Sequence, residues 1–327
     1  VYATPFLAHA TMEPMSCAAW VRDGAVDIWV GTQGPSFVLS LAEQITGVPA
    51  AEVALHQFHL GGGFGRRAES DVVGDALLVS QAVGAPVKVV WTRDEDLRHD
   101  FYRPLTVHRV RAGLHPDGSP LAWWHHAVGD SAAETRFPFF LTEGPEGEPI
   151  DMMLVSGLTD AFPYAVPHRR VEATIARTGV PVGFWRGVGM TQNVFVVEGV
   201  IDELAELAGV DPLRFRRDHL AANPRAAAVL DLVAEKSGWS KMLAGAGRGR
   251  GVALADYNGT LVAAVAEVGV AASEGSESPS FAVERLTVAV DCGFVVNPDI
   301  ARQQVEGGAL FGLSAALGEA VTIEAGG

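Results

Sequence analysis

Along residues 36–46 (Ser-Phe-Val-Leu-Ser-Leu-Ala-Glu-Gln-Ile-Thr) the apolar positions fall at helical spacing. Ser36 as a cap and Gly47 as a stop complete the prediction of a short helix. Val53, Leu55 and Phe58 mark a strand, residues 69–83 read as a helix, and Val87-Lys-Val-Val-Trp91 reads as a second strand. Gly84 and Pro86 punctuate what is then a βαβ-like unit. Residues 106–130 alternate apolar and polar, as half-buried antiparallel strands do, and His115-Pro-Asp-Gly118 supplies their turn. Residues 142–151 read as a surface loop. From Gln192 to Gly209 the period becomes helical, with Val194, Val197, Ile201, Leu204 and Ala208 on one face. Glu198, Asp202, Glu203 and Glu206 lie mostly opposite and read as a solvated face. Asp211-Pro212 caps and starts the next helix. Residues 243–251 and 271–280 read as Gly/Ala/Ser-rich connectors. A strand at 283–291 leads through Asn297-Pro298 into a helix over 299–317. The expected class is α+β, a mixed α/β architecture with mixed sheets, and there is no internal repeat of fixed short period.

The stretch that breaks this pattern is His59-Leu-Gly-Gly-Gly-Phe-Gly-Arg-Arg67. Glycines 61, 62, 63 and 65 leave backbone amides bare and free to take positive φ. A strand, a bare loop and a helix start, with Arg66 and Arg67 beside them, suit an anion. No Lys-Ser/Thr follows, so the phosphate-loop pattern GxxxxGK[ST] is absent, and Arg66 stands where GxGxxG would need its last glycine. Phe64 argues against a flexible linker. Arg186-Gly-Val-Gly189 repeats the logic, a glycine–arginine turn just before a long helix. Two such turns could grip one extended phosphorylated cofactor from two sides.

Composition narrows the reading. A chain of 327 residues, 48% hydrophobic, can bury a large core. Its formal charge of −15 argues against nucleic acid as a partner. No apolar run approaches the roughly 18 residues of a membrane helix. Cys17 and Cys292, far apart and without a CxxC, exclude a zinc ribbon or an iron–sulfur cluster within this chain. His56 with His59, and His125 with His126, would split their rings between two strand faces, which disfavours a metal. His9 and Glu13 have helical i, i+4 spacing, but Pro14 makes a helix doubtful. The apolar opening at Val1-Tyr2 and the end just after Val321-Thr-Ile-Glu324 read as cuts inside a larger fold.

Taken together, five pieces in one order resemble the molybdenum-binding subunit of the xanthine dehydrogenase/aldehyde oxidase family, in its isoquinoline 1-oxidoreductase branch. They are His9-Ala-Thr-Met-Glu13-Pro-Met, Gly31-Thr-Gln33, Gly61-Gly-Gly-Phe-Gly-Arg-Arg67, Trp185-Arg-Gly-Val-Gly189 with Gln192-Asn193, and Val290-Asp-Cys-Gly293 with Asn297-Pro and Gln304-Val-Glu-Gly-Gly308. The resemblance implies a two-part molybdopterin-binding domain of a molybdenum hydroxylase, here a fragment. Its expected parts are residues 1–113 with the glycine loop, a β-rich and loop excursion over 114–183, and a second cofactor-binding unit over 184–327, truncated at its end. It implies molybdopterin with Mo, in the cytosine dinucleotide form, the metal being held by the cofactor's dithiolene and not by side chains. The reaction implied is hydroxylation of an N-heterocycle or an aldehyde with oxygen from water. Electrons would leave to a small iron–sulfur subunit and on to a cytochrome c acceptor. The implied setting is bacterial, periplasmic or membrane-associated, with the cytoplasm as the alternative.

By position, the resemblance makes Gln33 the residue that hydrogen-bonds an oxygen ligand of molybdenum. Gly62, Gly63, Phe64, Gly65 and Arg66 become cofactor-binding, with Phe64 and Gly65 offering amides. Arg186 pairs with the cofactor, Gln192 lies beside it, and Gln304 hydrogen-bonds the pterin. Ala68 stands where the xanthine-oxidising branch has a substrate-binding Glu, and Glu69 is one residue too late, which argues against a purine. The family's general base, a Glu in a Gly-x-Gly-Glu turn, has no counterpart here, since Gly318-Glu319 lacks the pattern. A Gly-Gln-Gly cofactor loop that this branch places earlier is also missing. The alternative is a non-catalytic scaffold or assembly fragment of the same fold.

Overall fold

The structure is a computed structural model describing residues 1–221, 223–243, 245, 247–271 and 280–324. After β1 (Tyr2–Thr4), strands β2 (Ser16–Arg22) and β3 (Ala25–Val30) form an antiparallel hairpin. α1 (Pro35–Thr46) has Pro35 in its first turn and stops at Gly47, which takes φ +72° and donates its N–H to Glu43 O at 2.9 Å. The chain returns as β4 (Val53–Gln57), parallel to and beside β3. The glycine loop and a 3₁₀ turn at Arg66–Ala68 then lead to α2 (Asp71–Val83) and β5 (Val87–Val90).

The sheet order is β4-β3-β2-β5. The expected βαβ unit through α2 is therefore split, with β4 and β5 at opposite edges and the β2–β3 hairpin between them. The adjacent parallel pair is β3 and β4, joined by α1. Val26, Ile28 and Val30 alternate inward and meet Val38 and Ala42 of α1 and Val72, Ala76 and Leu77 of α2.

α3 (Arg93–Arg98) precedes β6 (Thr106–Leu114) and β7 (Pro120–Asp130), paired antiparallel around the expected turn, where Gly118 N–H donates to His115 O at 2.9 Å. The expected boundary at 113/114 falls inside β6, whose ladder with β7 runs across it. After α4 (Ala132–Thr135), β8 (Leu141–Glu143) and β9 (Pro149–Asp151) pair with each other, so the stretch expected to be a loop is a small hairpin. β10 (His168–Ala176) lies parallel to β7 and completes the sheet β1-β6-β7-β10.

α5 (Gly189–Ala208) packs on that sheet through Val197, Val200, Ile201 and Leu204, and α6 (Pro212–His219) follows, its first two free amides accepted by Asp211. One expectation fails on α5. Glu198 is not solvated but buried. Tyr164 Oη donates to it at 2.7 Å, Arg216 Nε at 2.9 Å and the Leu254 amide at 2.8 Å. Burial raises the Glu198 carboxyl although Arg216 opposes it.

The last unit consists of α7 (Pro224–Ser237), β11 (Arg248–Tyr257), β12 (Thr260–Ala271), β13 (Ser280–Asp291) and α8 (Pro298–Leu317). The first expected connector ends early, because β11 begins at Arg248. The second lies outside the described residues except for its two end residues. Val252, Leu254, Leu261, Ala263 and Val265 face α7, while Val262, Ala264, Val288 and Val290 face α8 across an apolar groove of about 580 Å³. Beyond α8 the chain returns to its start, with Val321 N–H donating to Phe6 O at 2.9 Å.

Candidate functional site

Both glycine–arginine turns carry strained backbone. In the first, Gly62, Phe64 and Gly65 take φ of +103°, +54° and +106°; in the second, Gly187 and Val188 take +84° and +48°. A phenylalanine and a β-branched valine in this region cost on the order of 1–3 kcal/mol each, and such strain collects where function needs a fixed backbone.

The first turn is held by residues distant in sequence. Glu13 N–H donates to Gly61 O at 3.0 Å, and Glu13 Oε2 accepts the Gly61 amide at 2.7 Å. The Arg67 guanidinium is buried and donates to Gly62 O at 2.9 Å and Glu13 O at 3.0 Å, with Glu13 Oε2 3.1 Å away. Among the described residues no acceptor is bonded to the amides of Gly62, Gly63 and Phe64. Three consecutive free donors at a turn are the backbone groups from which an anion nest can be built. Gln33 enters from the β3–α1 connection, exposed, with Oε1 accepting the Gly65 amide at 3.0 Å. The Gly65 amide is thus taken within the protein, a difference from the expectation that it faces a ligand. A Cβ at Gly63 would lie 2.5 Å from Gln33 Oε1, so only glycine lets the carboxamide cross the loop.

Arg66 differs from its expected role. It is fully buried, with two bonds to Asp71 at 3.0 and 2.8 Å and an ion pair with Asp100 at 3.1 Å, and its guanidinium lies 5.4 Å from both the Trp91 and Phe101 rings. Its donors serve the fold. Gln192, in the first turn of α5, is also buried and lines a cavity of about 20 Å³ under the second turn with Asp130 and Asp151.

The second turn and α8 complete the cradle. Arg186 Nη2 donates to the carbonyl of Gln304 at 3.0 Å and lies 3.3 Å from its Oε1; Gly308 leaves the room for this, since a Cβ there would sit 3.1 Å from Nη2. The Arg186 guanidinium lies 5.7 Å from the Phe64 ring, and burial pulls its pKa below the ordinary value. The structure therefore brings Phe64, Arg186 and Gln304 together. Phe311, concealed in the sequence within an apolar helical run, joins them, with ring centroids 4.8 Å from Phe64 and 4.5 Å from Trp185.

Beneath the turns lies a buried pair whose members the sequence separates widely. His9 and Glu13 share no helix. Instead, His9 Nδ1 lies 2.8 Å from Asp100 Oδ1 and its Nε2 3.0 Å from the Phe184 carbonyl, both within hydrogen-bond distance. Burial works to raise the Asp100 carboxyl, but the His9 bonds and Arg66 outweigh it, and the group stays below the usual carboxylate range. The remaining histidines of the expected pairs stand apart: His56 binds Asp27, His59 is exposed, His126 binds Thr174, and His125 binds His108.

The site thus combines two strained turns, three backbone amides without an acceptor among the described residues, and the Arg186 fork. Two family models described as molybdopterin cofactor-binding domains cover residues 1–220 and 215–327. The chain is 37% identical over 322 residues to the beta subunit of isoquinoline 1-oxidoreductase from Brevundimonas diminuta, covering 97% of this chain and 40% of the relative. It is 32% identical to a membrane-bound aldehyde dehydrogenase (pyrroloquinoline-quinone) of Gluconacetobacter polyoxogenes, covering 97% and 43%. A nicotinate dehydrogenase subunit of Pseudomonas putida is 30% identical, with 99% and 28% covered. The chain spans less than half the length of each. Among solved structures, quinoline 2-oxidoreductase from Pseudomonas putida 86 shares the fold with a TM-score of 0.65 at 20% identity, covering 83% of this chain and 35% of that one. The chain belongs to the molybdopterin cofactor-binding domains of the xanthine dehydrogenase/aldehyde oxidase family.

Proposed function

We propose that this chain is the cofactor-gripping part of a larger molybdenum hydroxylase subunit acting on an N-heterocycle or an aldehyde. The observation that carries the reading is the nest of free amides at Gly62, Gly63 and Phe64 beside the Arg186 fork. The residues fit an anionic, extended cofactor: bare donors, a planar cation, and glycines where a Cβ would close the approach. When bound, the molybdenum cofactor supplies a two-electron oxidant that lets water-derived oxygen replace hydrogen on an electron-poor carbon. The chain's own part is binding and orientation. Gln33, fixed through Oε1, keeps its Nε2 hydrogens to donate toward the metal end. The three amides and Arg186 neutralise the anionic groups, and Gln304 holds the fork and the pterin. Phe64, Phe311 and Trp185 keep water from one side of the cradle. Arg66, Gly65 and Gln192 support this shape from inside.

The cytosine dinucleotide form, a small iron–sulfur partner, a cytochrome c acceptor and a periplasmic or membrane-associated setting follow from the same branch resemblance. Among the described residues no helix is long and apolar enough to cross a membrane. Metal and organic phosphate analysis of the full-length protein tests the reading. About one molybdenum per chain, with cytidine monophosphate released on acid hydrolysis, is expected. A protein with neither molybdenum nor organic phosphate, or one carrying a quinone as the name of the Gluconacetobacter relative suggests for that enzyme, would sink it.

A further inference from the structure

Two turns that grip one cofactor must keep a fixed spacing. Gly65 of the first turn passes so close to Phe184 of the second that a Cβ on it would fall on the Phe184 carbonyl oxygen. That same oxygen accepts a hydrogen bond from His9 Nε2 at 3.0 Å. At the other edge of the ring, Nδ1 meets Asp100 Oδ1 at 2.8 Å, and Asp100 Oδ2 accepts the His9 amide at 2.6 Å. Asp100 Oδ1 is in turn 3.1 Å from Nε of Arg66, which follows Gly65 directly. One imidazole, 1% exposed, thus connects the flank of the first turn to the backbone of the second. Buried polar contacts of this kind are costly to leave unmade, so they fix geometry more firmly than loop packing does.

We propose that His9 is a positioning residue: held between Asp100 and the Phe184 carbonyl, it sets the separation of the two turns and thereby governs cofactor retention. This rests on the reading of the cradle as the cofactor site. The two ends of the ring can be removed separately. His9→Asn leaves a donor near the Nδ1 position, for Asp100, and none for Phe184. His9→Gln reaches the Nε2 position and gives up the side-chain bond to Asp100. A residue that merely fills the core and satisfies Asp100 would be rescued by Asn, whereas a spacer needs the Phe184 end.

In the full-length protein, His9→Asn should lose cofactor by about tenfold or more, read as molybdenum and organic phosphate per chain after dialysis, the order seen when supporting partners of a bound metal are removed. Amide hydrogen exchange should quicken at residues 184–189 while residues 66–68 stay protected. His9→Gln should keep cofactor within about threefold of the parent and keep 184–189 protected, even if its thermal midpoint falls. His9→Asn with parental cofactor content and parental exchange at 184–189 overturns the proposal, as does His9→Gln losing cofactor to the same extent as Asn. If His9→Asn does not fold, the Gln variant decides alone by the same criteria. A parent protein without molybdenum or phosphate would defeat the cofactor reading, while the exchange comparison would still test the strap.

Discussion

Gly24 and Gly65 both take a positive φ, yet their substitutions should differ severalfold. At Gly24 (φ +72°) a Cβ would meet nothing within 4 Å, so alanine adds only backbone strain, about 1 kcal/mol. At Gly65 (φ +106°) the same atom would collide with the Phe184 carbonyl, forcing the two turns apart. We expect Gly65→Ala to cost about 3 kcal/mol in denaturant unfolding and Gly24→Ala about a third of that; equal costs would show that the turns are not in contact. Arg186→Lys keeps the charge and loses the planar fork, and should weaken cofactor retention about tenfold in the same dialysis assay. Unchanged retention would mean that a point charge suffices. Single residues are partly legible in the sequence. The glycine run, Arg186 and Gln304 stand out in the sequence by their motifs and order, and the structure brings Phe64, Arg186 and Gln304 together. Arg66 reads as a cofactor ligand because nothing local says that Asp71, Asp100, Trp91 and Phe101 surround it. His9 carries no local sign of its role because its partner is 91 positions away.

At the level of elements, helix periods and stop signals read well. Gly47, Gly84 and Gly209 end α1, α2 and α5 in left-handed conformation, and Asn297 caps α8 with bonds to the Asp299 and Ile300 amides. Strand neighbours do not read, because order in a sheet is a non-local choice; the β2–β3 hairpin inserts between β4 and β5 without any signal in either. Glu198 shows the same limit. Helical periodicity assigns it to the acidic face, but α6 turns back and lays Arg216 across it, 18 residues later. Glu198 accepts bonds from Tyr164, Arg216 and the Leu254 amide, so it ties α5 to α6 and to β11. Glu198→Ala removes one partner of a buried pair and leaves Arg216 only Asp202, at 2.6 Å, as a carboxylate. The expected loss is about 3–5 kcal/mol in urea unfolding. A loss under about 1 kcal/mol would mean that the pair behaves as a surface ion pair.

At the scale of the whole molecule, three sheets converge on the cradle: β3 delivers Gln33, the second sheet carries α5 and its leading turn, and the third unit lays α8 over both. The stability of the middle sheet is then a condition of the site, and it contains a group with a definite pH signature. His108 and His125 are fully buried, with His108 Nδ1 2.9 Å from His125 Nε2 and His108 Nε2 2.8 Å from Thr106 Oγ1, which lies 2.7 Å from Thr4 Oγ1 on β1. With both rings neutral each of these bonds can be made, one ring nitrogen donating and the other accepting, while His125 Nδ1 is buried with no partner among the described residues. Burial lowers the pKa of His108 to about 4; burial, reinforced by His108 and then His126, lowers that of His125 to about 3. Unfolded, each titrates near the ordinary histidine value of about 6.5. Between that value and the lowered ones the unfolded chain binds protons that the folded chain refuses, so stability is intact above about pH 6.5 and falls as the pH falls. Two such groups give a slope of at most about 3 kcal/mol per pH unit within that window. The double variant His108→Gln with His125→Gln removes both groups and leaves every carboxylate in place. Its thermal midpoint should start lower at pH 7.5 and decline less steeply toward pH 4.5 than that of the parent. Parallel declines would mean that the carboxylates alone set the acid limit and that the histidine pair does not titrate on unfolding.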